Sequence, residues 1–220
     1  MCGRFILSQP AEAIASTFQL PIIPELAPRY NIAPTQPVAT ILSAGDRRQF
    51  QMLRWGLIPS WAKDPAIGNK LINARAETVA EKPSFRSAFR HRRCLVIADG
   101  FYEWRRQDGK KQPFYFRLHD GQPFAFAGLW EHWQDSMGEV IDSCTIITTE
   151  ANEILQPIHD RMPVILNPKD YDLWLDPTLD KIEQLQQLLQ SYSSTEMTSY
   201  PVSTKVNKPT NDTPELINSL

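Results

Sequence analysis

The sequence predicts an α+β fold: a single domain over residues 1–220, built on a curled, mostly antiparallel, partly barrel-like sheet with flanking short helices. Three observations predict it. Stretches with strand character outnumber those with helical periodicity, and most neighbouring strands read as antiparallel. The 18 prolines call for many short elements joined by defined turns. No internal repeat or low-complexity linker divides the chain, and 220 residues suffice to bury a substantial core.

The elements follow in order. "CGRFIL" reads as a strand and "PAEAIASTFQL" as a helix with Pro10 near its start. "PVATILSAGDRRQFQMLRWGLI" reads as a hairpin turning at Ala44-Gly45-Asp46. "SFRSAFRHRR" is a short basic helix leading into one strand, "CLVIADGFYEW". "KQPFYFRLHDGQPFAFAGLWEHW" reads as a second hairpin, turning at Asp120-Gly121, and "VIDSCTIITTEA" as a buried strand. "ILQPIHDRMPVIL" is a short helix, a loop and a strand. "PKDYDLWL" and "LDKIEQLQQLLQ" are helices, "MTSYPVSTKV" is a closing strand, and the last dozen residues are expected to fray.

Composition excludes several function classes. No apolar run approaches the ~20 residues that span a bilayer. No basic segment followed by an apolar one opens the chain, so an intracellular, cytoplasmic location is expected rather than secretion. The three cysteines, Cys2, Cys94 and Cys144, are too few and too odd in number for a disulfide framework. With no CxxC or HxxxH spacing, no metal and no cofactor are expected. Cys94 and Cys144 lie in apolar runs and read as core. The formal net charge of -2 does not announce a nucleic-acid partner, yet a local basic groove remains compatible with it.

Six stretches carry more polar and aromatic chemistry than a fold requires. "MCGRF" places a cysteine directly after the initiator methionine, where trimming of Met1 would expose an amine and a thiol on adjacent carbons; as an internal residue, Cys2 would simply start a strand. "NKLINARAET" sets Asn73 and Arg75 two apart, on one face if the chain is extended, or on an ordinary polar surface strand. "ADGFYEWRR" puts Glu103 among Phe101, Tyr102 and Trp104, where a desolvated carboxyl can hold or pass a proton near neutral pH; the alternative is an exposed, salt-bridged glutamate. "IHDRMP" places His159, Asp160 and Arg161 in a Pro-ended loop, and a loop histidine titrates near physiological pH when it is not structural. "RYNIAPTQP" and "LRWGLIPSWAKD" are Pro- and Trp-rich and suit either stacking of bases or capping of a barrel.

In the order "MCGRF … RYNIAPTQ … WGLIPSWA … NARAET … ADGFYEW … IHDRMPVIL", ending with "YPVSTKVN", the chain resembles the SOS-response-associated peptidase family. The resemblance implies the family's own α+β fold, binding to single-stranded DNA, and covalent trapping of abasic sites through the N-terminal cysteine. It also implies roles. Cys2 is the nucleophile through nitrogen and sulfur. Asn73 holds the opened sugar or the Cys2 backbone. Glu103 orients the α-amine and moves its proton, and His159 protonates the sugar ring oxygen. Arg4, Arg75 and Arg161 grip flanking phosphates. Beside what the resemblance implies, Gly3, lacking a side chain, is read as letting the DNA backbone approach closely, and Trp61 and Trp104 as surfaces on which displaced bases stack. "SFRSAFRHRR" either extends the basic track or is a solvated helix face. A monomer is expected, and an AP-lyase side reaction and self-removal of Met1 belong to the same implication.

Chemistry supports the choice of terminus. An amine and an aldehyde give an imine, and a thiol two carbons from that nitrogen closes a five-membered thiazolidine. An internal cysteine has its nitrogen locked in an amide. With an α-amine pKa near ~7.8 against ~10.4 for lysine, the neutral amine at pH 7 is roughly 300-fold more abundant at the terminus. Two rival classes stand beside this reading: a thiol autopeptidase or N-terminal-nucleophile hydrolase, for which the sequence shows no dedicated oxyanion hole, and a non-covalent single-stranded DNA-binding module. Adduct survival on a denaturing gel separates the last from the first.

Overall fold

The computed structural model describes residues 2–45, 47–107 and 109–220, with Gln107 described in its backbone alone. In chain order the elements are β1 (Phe5–Leu7), α1 (Ala11–Thr17), β2 (Arg29–Ile32), β3 (Pro37–Ala44), β4 (Arg47–Trp55), β5 (Asn73–Arg75), α2 (Arg86–His91), β6 (Arg93–Ala98), β7 (Gly100–Gln107), β8 (Lys110–Leu118), β9 (Phe124–Gln134), β10 (Val140–Glu150), β11 (Arg161–Pro163), β12 (Ile165–Leu166), α3 (Tyr171–Leu175), α4 (Ile182–Gln187) and β13 (Met197–Pro201). Short 3₁₀ turns fill several of the connections.

The larger sheet curls because its strands are buried on the inside and twisted. It runs β11-β10-β4-β3-β6-β9-β12, and a further pairing of β10 with β9 closes β10, β4, β3, β6 and β9 into a barrel. β6 is buried at every position, as its unbroken apolar run requires of a wall packed on both faces. Almost all pairings are antiparallel; β10 takes β4 and the short β5 in parallel. The second sheet, β13-β8-β7-β1-β2, lies against the barrel. Phe5 of β1 sets its ring edge-on to Trp55 at 5.1 Å and to Phe126 at 5.8 Å, so the two sheets share one core.

The expected hairpin of β3 and β4 is present, paired from Pro37↔Arg54 to Ala44↔Arg47; its predicted turn residue Asp46 lies outside the described residues. The single strand expected over "CLVIADGFYEW" is two strands in two sheets. The break falls at Asp99-Gly100. The Asp99 carboxylate accepts from the Ser8 backbone N–H at 2.6 Å and from the Gln9 N–H at 2.8 Å, binding the corner to the end of β1. A Cβ on Gly100 would lie 2.2 Å from the Tyr115 ring, so only glycine lets the chain cross there.

The second expected hairpin, turning at Asp120-Gly121, is a crossover. The turn exists, with the Gln122 N–H donating to Asp120 Oδ1 at 2.9 Å. But β8 stays in the second sheet, between β7 and β13, and β9 enters the barrel. The hairpin partner of β8 is β7, paired from Phe101↔Phe116 to Gln107↔Lys110. The C-terminal residues do not fray: Leu216 is buried, Val202 bridges Ser219, and the Leu220 N–H donates to Pro201 O at 3.1 Å.

Candidate functional site

β1 and β7 run antiparallel, with Phe5 opposite Phe101. The Tyr102 N–H continues that register by donating to Arg4 O at 3.0 Å, which carries Gly3 and Cys2 alongside Glu103 and Trp104. Cys2, just ahead of β1, and Glu103, on β7, are both buried. Burial, and then the neighbouring Glu103 charge, push the Cys2 thiol well above the usual thiol range. Burial likewise pushes Glu103 up to about 7, with the Trp104 backbone hydrogen bond pulling the other way. The aromatic stretch around Glu103 thus desolvates it as the sequence suggests.

A cavity of about 720 Å³ is lined by Glu103, Trp104, Arg4 and His159 among others. Arg4 donates through Nη1 to Asn31 Oδ1 and to Val206 O, both at 2.8 Å, and its guanidinium lies 5.8 Å from the Trp104 ring centre. Trp104 in turn donates from Nε1 to Asn207 Oδ1 at 2.7 Å. His159 comes from the loop before β11. Its Nδ1 accepts from the Arg161 backbone N–H at 3.0 Å and lies 2.9 Å from Asp160 Oδ1. Acceptance at Nδ1 puts the proton of the neutral ring on Nε2. Burial lowers the His159 pKa, so the neutral ring dominates at pH 7.

The barrel contributes the remaining polar residues across β10. β5 and β11 flank that strand, pairing Thr148 with Arg75 on one side and Glu150 with Arg161 on the other. Arg75 is exposed and Asn73 half-buried, as alternation about Ala74 predicts. Asn73 donates from Nδ2 to Ile146 O at 3.4 Å, while its Oδ1 is buried with no hydrogen-bond partner among the described residues. Arg161 is held by Glu77 at 2.6 and 3.0 Å and by Thr148 O at 2.5 Å.

This arrangement has counterparts. Residues 1–209 match the family model "SOS response associated peptidase (SRAP)". The chain belongs to the SRAP family. It is 48% identical over 223 residues to Abasic site processing protein YoqW of Bacillus subtilis (strain 168), covering 100% of each chain. It is 34% identical over 181 residues to Abasic site processing protein YedK of Escherichia coli (strain K12), covering 80% of this chain and 79% of that one. A solved structure from Bacteroides thetaiotaomicron superposes with a TM-score of 0.88 at 30% identity, over 100% of both chains. The α+β architecture with a barrel-like sheet is thus that of an SRAP domain.

Within this SRAP domain, Glu103, His159, Arg4 and Trp104 meet at one cavity; Cys2 is buried next to Glu103, and neither it nor Gly3, Asn73, Arg75 or Arg161 is among the residues that line that cavity. Trp61 does not join them: it is 59% exposed and borders a separate depression of about 330 Å³ with Lys63 and Lys70. The basic helix divides. Arg86 and Arg90 are exposed, whereas Arg92 pairs with Glu131 at 2.7 Å and Arg93 is buried, donating to the carbonyls of Phe89, Trp174 and others. These last two arginines are engaged by protein partners, and Arg86 and Arg90 are the members of the run that face solvent.

Sequence reasoning missed Arg105, Arg106, Lys111 and Asn207, which also line the cavity. Arg106 and Lys111 are direct cross-strand partners on the β7–β8 hairpin. The signal was in "YEWRR": a basic pair continuing the strand that carries Glu103. Asn207 had none, since only the folded C-terminal segment brings it to Trp104. Among the described residues, no group of three His, Cys, Asp or Glu side chains is placed to hold a metal ion, and no helix is long and apolar enough to cross a membrane.

Proposed function

We propose that this chain processes abasic sites in single-stranded DNA, forming a covalent thiazolidine between Cys2, after loss of Met1, and the ring-opened sugar. The observation that carries the reading is the proximity of Cys2 to the buried Glu103, which lines a cavity together with Arg4, Arg105, Arg106 and Lys111. The names of the relatives support the lesion as substrate. The cations suit a phosphate backbone, and Trp104 suits a displaced base.

The chemistry balances without an oxidant, reductant or metal. The α-amine nitrogen bonds to the aldehyde carbon, and the carbonyl oxygen departs as water, leaving an imine. The thiol then adds across the C=N bond, sulfur to carbon and its proton to nitrogen, closing the ring. Glu103, near pKa 7, is suited to both proton movements: as carboxylate it takes a proton from the ammonium, and as acid it supplies one to the departing oxygen. Because burial holds the Cys2 sulfur as thiol, its proton leaves as the sulfur attacks the imine, and Glu103 as carboxylate is suited to receive it and pass it to the nitrogen. His159, mostly neutral at pH 7, assists ring opening as a hydrogen-bond donor, with only its minor cationic form a strong acid. Asn73, with a buried acceptor oxygen, holds the opened sugar or the Cys2 backbone; Arg75 and Arg161 grip phosphates, and Gly3 gives the strand room. Trp61, apart from the cavity, offers a stacking surface to a more distant base. The protein acts as a monomer inside the cell.

Intact-mass measurement tests this. Mixed with a single strand bearing an abasic site, the protein should yield one species equal to protein without Met1 plus DNA, less one water. Cys2→Ala should form no stable adduct. Full crosslinking by Cys2→Ala, or by protein retaining Met1, would overturn the reading.

A further inference from the structure

The ion pair between Arg161 and Glu77 occupies the Nη1–Nη2 edge of the guanidinium, a pair of donors that also suits two phosphate oxygens. Glu77 lies two residues beyond Arg75 and spans to β11, meeting Arg161 Nη1 at 2.6 Å and Nη2 at 3.0 Å, one carboxylate oxygen to each nitrogen. That two-point fork is the geometry by which arginine binds phosphate. Arg161 Nη2 also donates to Thr148 O at 2.5 Å, and Nε is buried with no hydrogen-bond partner among the described residues. The guanidinium is therefore held at once by Thr148 and by Glu77. Its side chain is only 13% exposed, whereas that of Glu77 is 47% exposed and has room to swing away.

We propose that Glu77 is a specificity-determining residue: it stands in for a backbone phosphate on Arg161 in the unbound protein, and an incoming strand must displace it. The inference rests on the reading of this chain as a single-strand binder. Its consequence is electrostatic. With the pair closed, Arg75, Arg161 and Glu77 together present one net positive charge. Undamaged strands are then held weakly and released, while a strand carrying the lesion is retained by the bond to Cys2. The carboxylate is well ionised for this role: burial pushes its pKa up, but the Arg161 hydrogen bond and the Arg161 and Arg75 charges outweigh it, holding Glu77 below the usual carboxylate range.

The experiment is a fluorescence-anisotropy titration of an undamaged oligothymidylate across a salt series, with parent, Glu77→Gln, Arg161→Ala and the double variant. Glu77→Gln should bind tighter by about fourfold at physiological salt, and its log–log salt slope should steepen by about 0.7, because in the parent the carboxylate freed from Arg161 takes up a cation and offsets the release at that one phosphate contact. The same substitution in the Arg161→Ala background should change neither. Unchanged or weaker binding by Glu77→Gln with an unchanged slope overturns the proposal, as does an equal gain in the Arg161→Ala background. A second readout uses the parent protein alone. The Glu77 carboxyl carbon, followed by NMR, should titrate at higher pH in the presence of the oligonucleotide, because its partner has been taken by phosphate; titration at the same pH, bound and unbound, overturns displacement. No binding by the parent sinks the function proposed above and this inference with it, whereas parental binding with an indifferent Glu77→Gln sinks the inference alone.

Discussion

Glu103 is the residue on which chemistry and stability conflict. Its carboxyl is 3% exposed and its pKa stands at about 7 rather than 4.5. A raised carboxyl pKa means that the folded state favours the protonated form. The associated stability is complete below about pH 4.5, declines as the unfolded chain ionises first, and is lost as pH rises through 7. A shift of this size corresponds to the order of 3 kcal/mol. Glu103→Gln removes the buried charge, so it should melt higher than the parent near pH 8, with the difference closing toward pH 4; scanning calorimetry at the two pH values checks this. The same variant should crosslink ~100- to 10,000-fold more slowly, and the step near pH 7 should vanish from its pH–rate profile in single-turnover assays. A variant that is no more stable at pH 8 would mean that the carboxylate is well solvated or well paired. His159→Ala should cost less, at or below the ~100-fold end of that range, because its imidazolium is scarce at neutral pH.

At the scale of elements, two segments hold the site together. The β7–β8 hairpin presents Arg106 and Lys111 side by side on the cavity wall. If both contact phosphates, the Arg106→Ala, Lys111→Ala double variant should lower the log–log salt slope for single-strand binding by about 1.4. Its melting temperature should stay near the parent's, since the charges lie at the surface. An unchanged slope would confine the DNA path to the Arg75–Arg161 side. The C-terminal segment is the other support. Its carbonyls at Val206, Lys208 and Asn211 all accept from Asn31 Nδ2, and Val206 O also receives Arg4. Asn207→Ala removes the acceptor that fixes the Trp104 indole, so it should weaken binding to a strand with a stable abasic analogue. About 1 kcal/mol is expected, the worth of one such hydrogen bond, and parallel titrations with Trp104→Ala would show whether the two effects are shared. The basic helix α2 teaches the converse: a run of arginines in sequence can be spent on carbonyls and on Glu131, leaving only its outer members for solvent.

For the molecule as a whole, the proposed site requires the two sheets to keep their relation, because Glu103 lies on β7 of one sheet, with Cys2 and Arg4 just ahead of its β1, while Asn73 and Arg75 lie on β5 and Arg161 on β11 of the other. The hinge of that relation is the corner at Asp99-Gly100. Gly100→Ala would drive a Cβ into the Tyr115 ring and should destabilise the fold by about 1–3 kcal/mol. Below its melting point, the variant should also crosslink more slowly; a normal rate with normal stability would show that the sheets reach their relation independently of this corner. Much of this molecule was determined by sequence alone. Alternation about Ala74 put Asn73 and Arg75 on one face, the apolar runs around Cys94 and Cys144 marked both cysteines as core, and the aromatic neighbours of Glu103 raised a desolvated carboxyl beside the alternative of an exposed one, between which burial decides. These are local properties, set by the period of the chain and the desolvation a side chain meets from its own neighbours. Tertiary structure alone decided that "CLVIADGFYEW" divides between two sheets, that β8 pairs backward with β7 while β9 enters the barrel, and that the C-terminal residues pack against the Trp104 side of the cavity. It also decided that Arg161 meets Glu77 and that Trp61 stands apart from Trp104. Strand pairing and ion pairing depend on which surfaces remain once the core has closed, and a linear pattern of apolar and polar residues is compatible with several such closures.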